Sequence, residues 1–180
     1  MKYGLLSLML ALTVAGTAAC SSQQTQPGAP AGRAAGPVQP ARPEDLRLTT
    51  GQVIFVPAYS EIFYLDQDKT LNLAITLAIH NTDLASSIII KAVRYYDTNG
   101  NLVEEFIKNP IKLGPMGTTG FVLNQNDDRG GVGANFIVEW GAEKKVYEPV
   151  VEAVMVSTSG AQGISLLSTG RVISQIGAGE

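Results

Sequence analysis

The stretch from Leu71 to His80 reads LNLAITLAIH, and its pattern decides the fold class. Leu71, Leu73, Ile75, Leu77 and Ile79 alternate with Asn72, Ala74, Thr76, Ala78 and His80. Side chains of an extended chain point alternately to opposite faces, so this period of two assigns one face to a core and the other to solvent or a thin cover. Phe136, Val138 and Trp140 repeat the pattern against Asn135, Ile137 and Glu139.

Working outward, Ile88 to Tyr96 and Leu102 to Ile107 flank Asp97-Thr98-Asn99-Gly100-Asn101. Asn-Gly between two such runs predicts a hairpin, because both residues tolerate the positive φ of a tight turn. Further strands are expected at Val53–Val56, Glu61–Tyr64, Ile111–Leu113, Thr119–Leu123, Val150–Thr158, Gly163–Leu167 and Arg171–Ser174. Pro57, Pro110, Pro115 and Pro149 fall at their edges, where a missing N–H costs no ladder bond. No long helical repeat follows Thr50. Many short strands separated by turns predict an all-β sandwich or barrel, and an antiparallel immunoglobulin-like or fibronectin-like β-sandwich is the first expectation.

The chain has 180 residues and a formal net charge of −3, with no basic stripe on which phosphates would be neutralised, so nucleic acid is not an expected partner. The single cysteine excludes an internal disulfide and a multi-cysteine metal site. Its position is informative. Lys2, an apolar run from Leu5 to Val14 and the small residues Ala15 to Ala19 form an export signal over residues 1–19. The run is too short to span a hydrocarbon core of roughly 30 Å. Thr17-Ala18-Ala19-Cys20 resembles the bacterial lipobox, with Thr17 in place of the more usual aliphatic residue. The resemblance implies cleavage before Cys20 and a membrane anchor of acyl chains on that residue. Ser21 and Ser22, where an aspartate would resemble an inner-membrane retention signal, point to the periplasmic face of the outer membrane in a two-membrane bacterium.

Residues 20–50 are rich in Ser, Gln, Pro, Ala and Gly and almost lack large apolar side chains, so they are expected to form a disordered linker. The spacings Pro27–Pro30, Pro37–Pro40 and Pro40–Pro43 also match PxxP, which arises readily in so proline-rich a stretch. The folded domain is expected over residues 51–175, with a flexible tail at 176–180.

Candidate chemistry is sparse. His80, the only histidine, would need a serine such as Ser60, Ser157 or Ser159 with Asp83 to form a hydrolytic set, but no serine lies in a G-x-S-x-G elbow. Its alternation reads instead as an exposed strand end. A calcium loop starting at Asp97 fails, since Leu102 and Lys108 occupy the positions that require Gly and Glu. Asp66 and Asp68 read as a surface loop. The ten-residue loop from Asn124 to Gly133 contains Asp127 and Asp128, which offer a cation site, and Arg129, which offers an anion site; a flexible, solvated loop is the plainer reading. Ser157, Thr158, Ser159 and Gln162 form either a pocket rim or a tight turn. No catalytic residue, metal ligand or cofactor is assigned.

Five blocks carry a family resemblance: GQVIFVPAYSEIFY, NLAITLAIHNTD, YYDTNGNLV, GANFIVEW and EPVVEAVMVSTSGAQGISLLSTGRVI. They resemble an uncharacterised bacterial lipoprotein family, a domain of unknown function bearing the number three-one-two-four, from Gly51 to about Ile173. The resemblance implies a lipoprotein leader and one β-rich envelope domain, and it transfers no catalytic residue. The expected function is a lipid-anchored, non-enzymatic envelope module that binds a protein or envelope ligand through its loops. Its rivals are an envelope hydrolase using His80 with a serine or the Asp127–Asp128 pair, and a structural envelope-assembly factor.

Overall fold

Alternation in residues 71–80 becomes strand, but not one strand. In the computed structural model, which describes residues 38–42, 46–159 and 163–176, the ladder breaks at Leu73, whose N–H turns aside to the Ser60 carbonyl at 2.8 Å. Before the break lies β4 (Asp66–Asn72) and after it β5 (Ala74–His80). The other described strands are β1 (Val38–Pro40), β2 (Thr50–Pro57), β3 (Glu61–Tyr64), β6 (Ile88–Tyr96), β7 (Leu102–Glu105) and β8 (Ile111–Leu113). They are followed by β9 (Thr118–Leu123), β10 (Asn135–Ala142), β11 (Val150–Ser157), β12 (Ile164–Thr169) and β13 (Arg171–Ile176). A 3₁₀ turn covers Gly131–Gly133.

All pairings are antiparallel. The larger sheet runs β1-β8-β6-β10-β2-β13, with β7 beside the second half of β6, and the smaller runs β12-β11-β5-β9. The two share one core. Ile54 and Val56 of β2, Val93 and Tyr95 of β6, and Phe136, Val138 and Trp140 of β10 meet Ile75, Leu77 and Ile79 of β5 and Phe121 of β9. A third, two-stranded sheet is the hairpin β3-β4.

Along β6 the inward residues are Ile88, Ile90, Val93 and Tyr95, so the parity changes once. The cause is a register shift opposite Glu139 and Trp140, where Ala92 pairs with Glu139 and Ile90 with Trp140, leaving Lys91 as the extra residue of a bulge. At the opposite side, β12 continues into β13 across Gly170 alone, so one nearly continuous segment leaves the smaller sheet and enters the larger.

Two expectations are corrected. Part of the stretch expected as linker is strand: Val38, Gln39 and Pro40 pair with Leu113, Lys112 and Ile111. Val38 packs against the core, and Ala41 N–H donates to the Pro110 carbonyl at 2.9 Å. A proline-rich chain is already extended, and Pro40 ends the strand where its missing donor costs nothing. Asp66 and Asp68 lie in β4 rather than a loop. Of that hairpin only Ile62 is among the side chains that pack against the core, so burial imposes no alternation that would mark it. The expected signal over residues 1–19, Cys20, most of the linker, Gln162 and the tail from residue 177 lie outside the described residues.

Candidate functional site

His80 ends β5, on the outer face of the smaller sheet. Its Nδ1 is 2.9 Å from the Thr118 hydroxyl of β9, and its Nε2 is 3.7 Å from a Glu152 carboxylate oxygen of β11. None of the three serines proposed as its partner is near. His80 pairs with Val150, and Ser157 lies seven residues further along β11 (157 − 150), about 23 Å away at the rise of a strand. Ser159 lies beyond it, and the buried Ser60 hydroxyl donates to the Gly131 carbonyl. Asp83 does not face His80 at all. Its carboxylate accepts from Ala85 and Ser86 N–H at 2.9 and 2.7 Å, and from Tyr147 N–H at 3.3 Å. Those bonds, led by Ala85, hold its pKa below the ordinary carboxylate range.

The residues before Asp83 carry a role that composition concealed. Asn81 is only 2% exposed. Its side-chain amide donates to the carbonyls of Ser86 (2.8 Å), Gly114 (2.8 Å) and Leu113 (3.3 Å), while its Oδ1 accepts Asp83 N–H at 3.0 Å. Asn81 therefore ties the β5–β6 connection to the β8–β9 turn. The Asx-type bonds of Asn81 and Asp83 to backbone two or three residues on are the local part of that signal.

The loop from Asn124 to Gly133 is folded onto its neighbours rather than solvated and free. Turns close from Asp127 N–H to the Asn124 carbonyl and from Gly131 N–H to the Asp128 carbonyl. Thr98, in the β6–β7 turn, gives both its N–H and its hydroxyl to the Gly130 carbonyl at 2.9 Å and accepts Gly133 N–H at 3.0 Å. Arg129 bridges Asp127 at 2.6 Å and Glu104 at 2.9 Å. Asp127 is held below its usual pKa chiefly by Arg129, and the Arg129 pKa rises for the same reason. With Asp127 occupied by that guanidinium, the Asp127–Asp128 pair is not poised to close on a cation, and Arg129 is not poised for an anion.

At the start of the same loop Gln125 Nε2 donates to Ser157 and Ser159 hydroxyls, at 3.0 and 2.7 Å. The fold thus brings two of the sequence candidates together, as a brace between neighbouring loops. The β6–β7 turn is a plain hairpin turn. Gly100 has φ +82°, and Asp97 accepts from Asn99 N–H, Asn101 N–H and the Asn101 side chain at 2.8–2.9 Å, which uses the oxygens a calcium ion would need.

Beneath the loop, Tyr95 packs against Phe136 with ring centroids 4.9 Å apart. A β-carbon on Gly130 would overlap its hydroxyl, which has no hydrogen-bond partner. Burial pushes the phenol up to about 12, and the Ser60 hydroxyl, whose proton goes to Gly131, opposes this only weakly. The folded chain therefore keeps a proton that the unfolded chain releases near pH 10. This contribution is intact below pH 10 and is lost as the pH climbs through 12, by roughly 2–3 kcal/mol in all. Tyr95→Phe is expected to abolish that slope at little cost near pH 8, since it deletes an unpaired hydroxyl. Urea midpoints of both proteins at pH 8 and pH 11 provide the check, and an unchanged difference between them would refute the assignment.

The outer face of the smaller sheet is the most unusual surface. Register places Leu167, Val154, Thr76 and Val122 in one row across all four strands. Beside it lie Ser165, Val156 and Ala74, and on the other flank Thr169, Glu152, Ala78 and Gly120. Leu167 is 63% exposed, and Val122, Val150 and Val156 are exposed too. Glu152 is the only ionisable side chain on these rows, and His80 lies on the next one, between Val150 and Thr118. By contrast, the outer face of the larger sheet carries Arg94 bound to Glu139 at 2.6 Å and Glu105 at 3.2 Å, with Lys91 3.5 Å from Glu139.

Among the described residues no group of three or more His, Cys, Asp or Glu side chains is placed to hold a metal ion. No described helix is long and apolar enough to cross a membrane. An all-β domain of two antiparallel sheets around one core is the class this structure defines. The chain belongs to the family described as Protein of unknown function (DUF3124), whose model matches residues 51–173. No curated protein and no solved structure matches it significantly.

Proposed function

We propose that this chain is a lipid-anchored, non-enzymatic binding module of the cell envelope, an immunoglobulin-like or fibronectin-like sandwich held through acyl chains on Cys20 at the periplasmic face of the outer membrane. The observation that carries the binding role is the exposed, almost uncharged outer face of β12-β11-β5-β9. A monomer that only needed to be soluble would place charges along those rows, as the larger sheet does. The loops, first expected to bind, satisfy most of their polar groups internally, so the sheet face is the better contact surface. An envelope hydrolase has less support: His80 sits on an open sheet face with Thr118 and Glu152, and no candidate serine approaches it.

Three measurements test the reading. Cys20→Ser is expected to move most of the folded protein from the membrane fraction to the soluble fraction, and an unchanged distribution would refute anchoring through Cys20. Leu167→Asp with Val122→Lys, both at exposed positions, is expected to lower recovery of partners cross-linked to the tethered protein in its envelope at least tenfold. That corresponds to about 1.4 kcal/mol, a small part of what two apolar anchors supply. Equal recovery would remove the face from the argument. A phenotype lost in His80→Ala or in Asp127→Asn with Asp128→Asn, with folding intact, would favour the hydrolase.

A further inference from the structure

The hairpin β3-β4 ends in three consecutive large apolar side chains that no part of the described core covers. Phe63 is 58% exposed, Tyr64 is exposed beside it, and Leu65 is 86% exposed. Leu65 also has φ +61°, in the left-handed region that costs a residue with a β-carbon about 1 kcal/mol or more. The ladder shifts register between Phe63 and Tyr64, just before the turn. A glycine or asparagine at 65 would relieve the strain, and a polar residue would remove the exposure. The sequence places leucine there, against both backbone and solvation preferences.

We infer that this tip inserts into the headgroup–acyl boundary of a lipid bilayer. Its geometry selects lipid over a protein groove. An extended segment docking on a protein offers alternate side chains to pockets on one side. Here successive residues 63, 64 and 65 are all exposed, and the left-handed turn at Leu65 carries the apolar surface round the end of the hairpin. A fluid apolar medium accepts such an all-round tip. Phenylalanine and leucine suit its depth, and tyrosine, apolar in body and polar at the end, suits its boundary.

Charge narrows the lipid class. Between Pro57 and Leu65 the only charged residue is Glu61, and Asp66 and Asp68 follow before Lys69. Insertion therefore depends on apolar contact and gains nothing from anionic headgroups. The proposal rests on the anchored reading in one respect, namely that the bilayer is within reach. Val38 lies eighteen positions after Cys20 (38 − 20), and a chain of that length spans at most about 60 Å. The tip then acts as a second, reversible contact that orients the domain on the membrane, leaving the acyl chains to supply most of the attachment.

The experiment uses the mature chain, residues 20–180, carrying Cys20→Ser, so that neither the leader nor an acyl chain contributes, with phosphatidylcholine vesicles as the probe. With Leu65→Trp added as reporter, emission is expected to shift to the blue on adding vesicles and to be quenched by brominated acyl chains. The buried Trp140 gives neither response in the parent chain. Phe63→Ser with Leu65→Ser is expected to lower the vesicle partition coefficient of the Cys20→Ser chain about a hundredfold. Adding phosphatidylglycerol is expected not to strengthen binding. An unchanged reporter spectrum, or binding that needs anionic lipid, overturns the proposal. Residual membrane retention of the otherwise native Cys20→Ser chain supports the tip if it is lost on Phe63→Ser with Leu65→Ser, and counts against anchoring through Cys20 if it is not.

Discussion

Asn81→Ala is expected to lower the stability of the domain by about 3–4 kcal/mol, because it strips hydrogen bonds from several buried backbone groups at once. The wild-type amide shares its two N–H groups among the carbonyls of Ser86, Leu113 and Gly114, and its oxygen accepts Asp83 N–H. Asn81 is buried, so water does not simply replace those bonds, and each group left unsatisfied costs on the order of 1–3 kcal/mol. The damage would spread. The β8–β9 turn leans on the same connection, through Asn81 N–H to the Gly117 carbonyl at 2.8 Å and Met116 N–H to the Asp83 carbonyl at 3.1 Å. Asn81→Asp is the sharper variant. At neutral pH it turns a carboxylate towards carbonyl oxygens, and it should be less stable than the alanine variant. Acidification returns one donor and recovers part of the loss relative to wild type. Urea unfolding of the three proteins at pH 7 and pH 4.5 measures both effects. An alanine variant within 0.5 kcal/mol of wild type would show that the hub carries no weight, on the scale of an ordinary surface substitution of about that size.

What could be read beforehand divides along the range of the interactions. Strands β3, β6 and β8 fall where short runs of β-branched and aromatic residues between turn and proline residues put them, because both signals are local. The β6–β7 turn is legible for the same reason. The side chains of β6 are not: in Ile88-Ile89-Ile90-Lys91-Ala92-Val93 apolar residues occupy both parities, so the bulge at Lys91 leaves no trace in the pattern. β1 is concealed by proline-rich composition, although Val38, the large apolar residue within it, is the one that reaches the core. The loop from Asn124 to Gly133 reads as solvated because its partners, Ser60 and Thr98, lie far away in the chain. Of the candidate site, the outward placement of His80 follows from its own strand. The joining of Gln125 to Ser157 and Ser159 depends on pairing between β5, β9 and β11 and has no local signal.

Gly170→Val is expected to prevent stable folding, and Gly170→Ala to cost about 2–3 kcal/mol, the upper range for adding a methyl to a packed interior. Gly170 is the one residue between β12 and β13, where the chain passes from one sheet to the other. Its N–H donates to the Val151 carbonyl of the smaller sheet at 2.8 Å. A β-carbon there would lie 2.6 Å from Ile54 Cγ2 of the larger sheet and 2.9 Å from the Val151 oxygen, with Val56 Cγ2 at 3.2 Å. The backbone of the crossing segment is wedged between both sheets, and neither wall is the flexible end of a long side chain. Ile54→Ala tests the wedge. It opens a cavity and destabilises by about 2–4 kcal/mol alone, but it also removes the nearest obstruction to a methyl at 170. The double variant should therefore be more stable than the sum of the two losses predicts, by about 1 kcal/mol. Strict additivity would assign the cost to the Val151 carbonyl or to the backbone itself. A Gly170→Ala protein as stable as wild type would mean that the sheets can separate there, and that β12 and β13 hold their places without close contact at the corner.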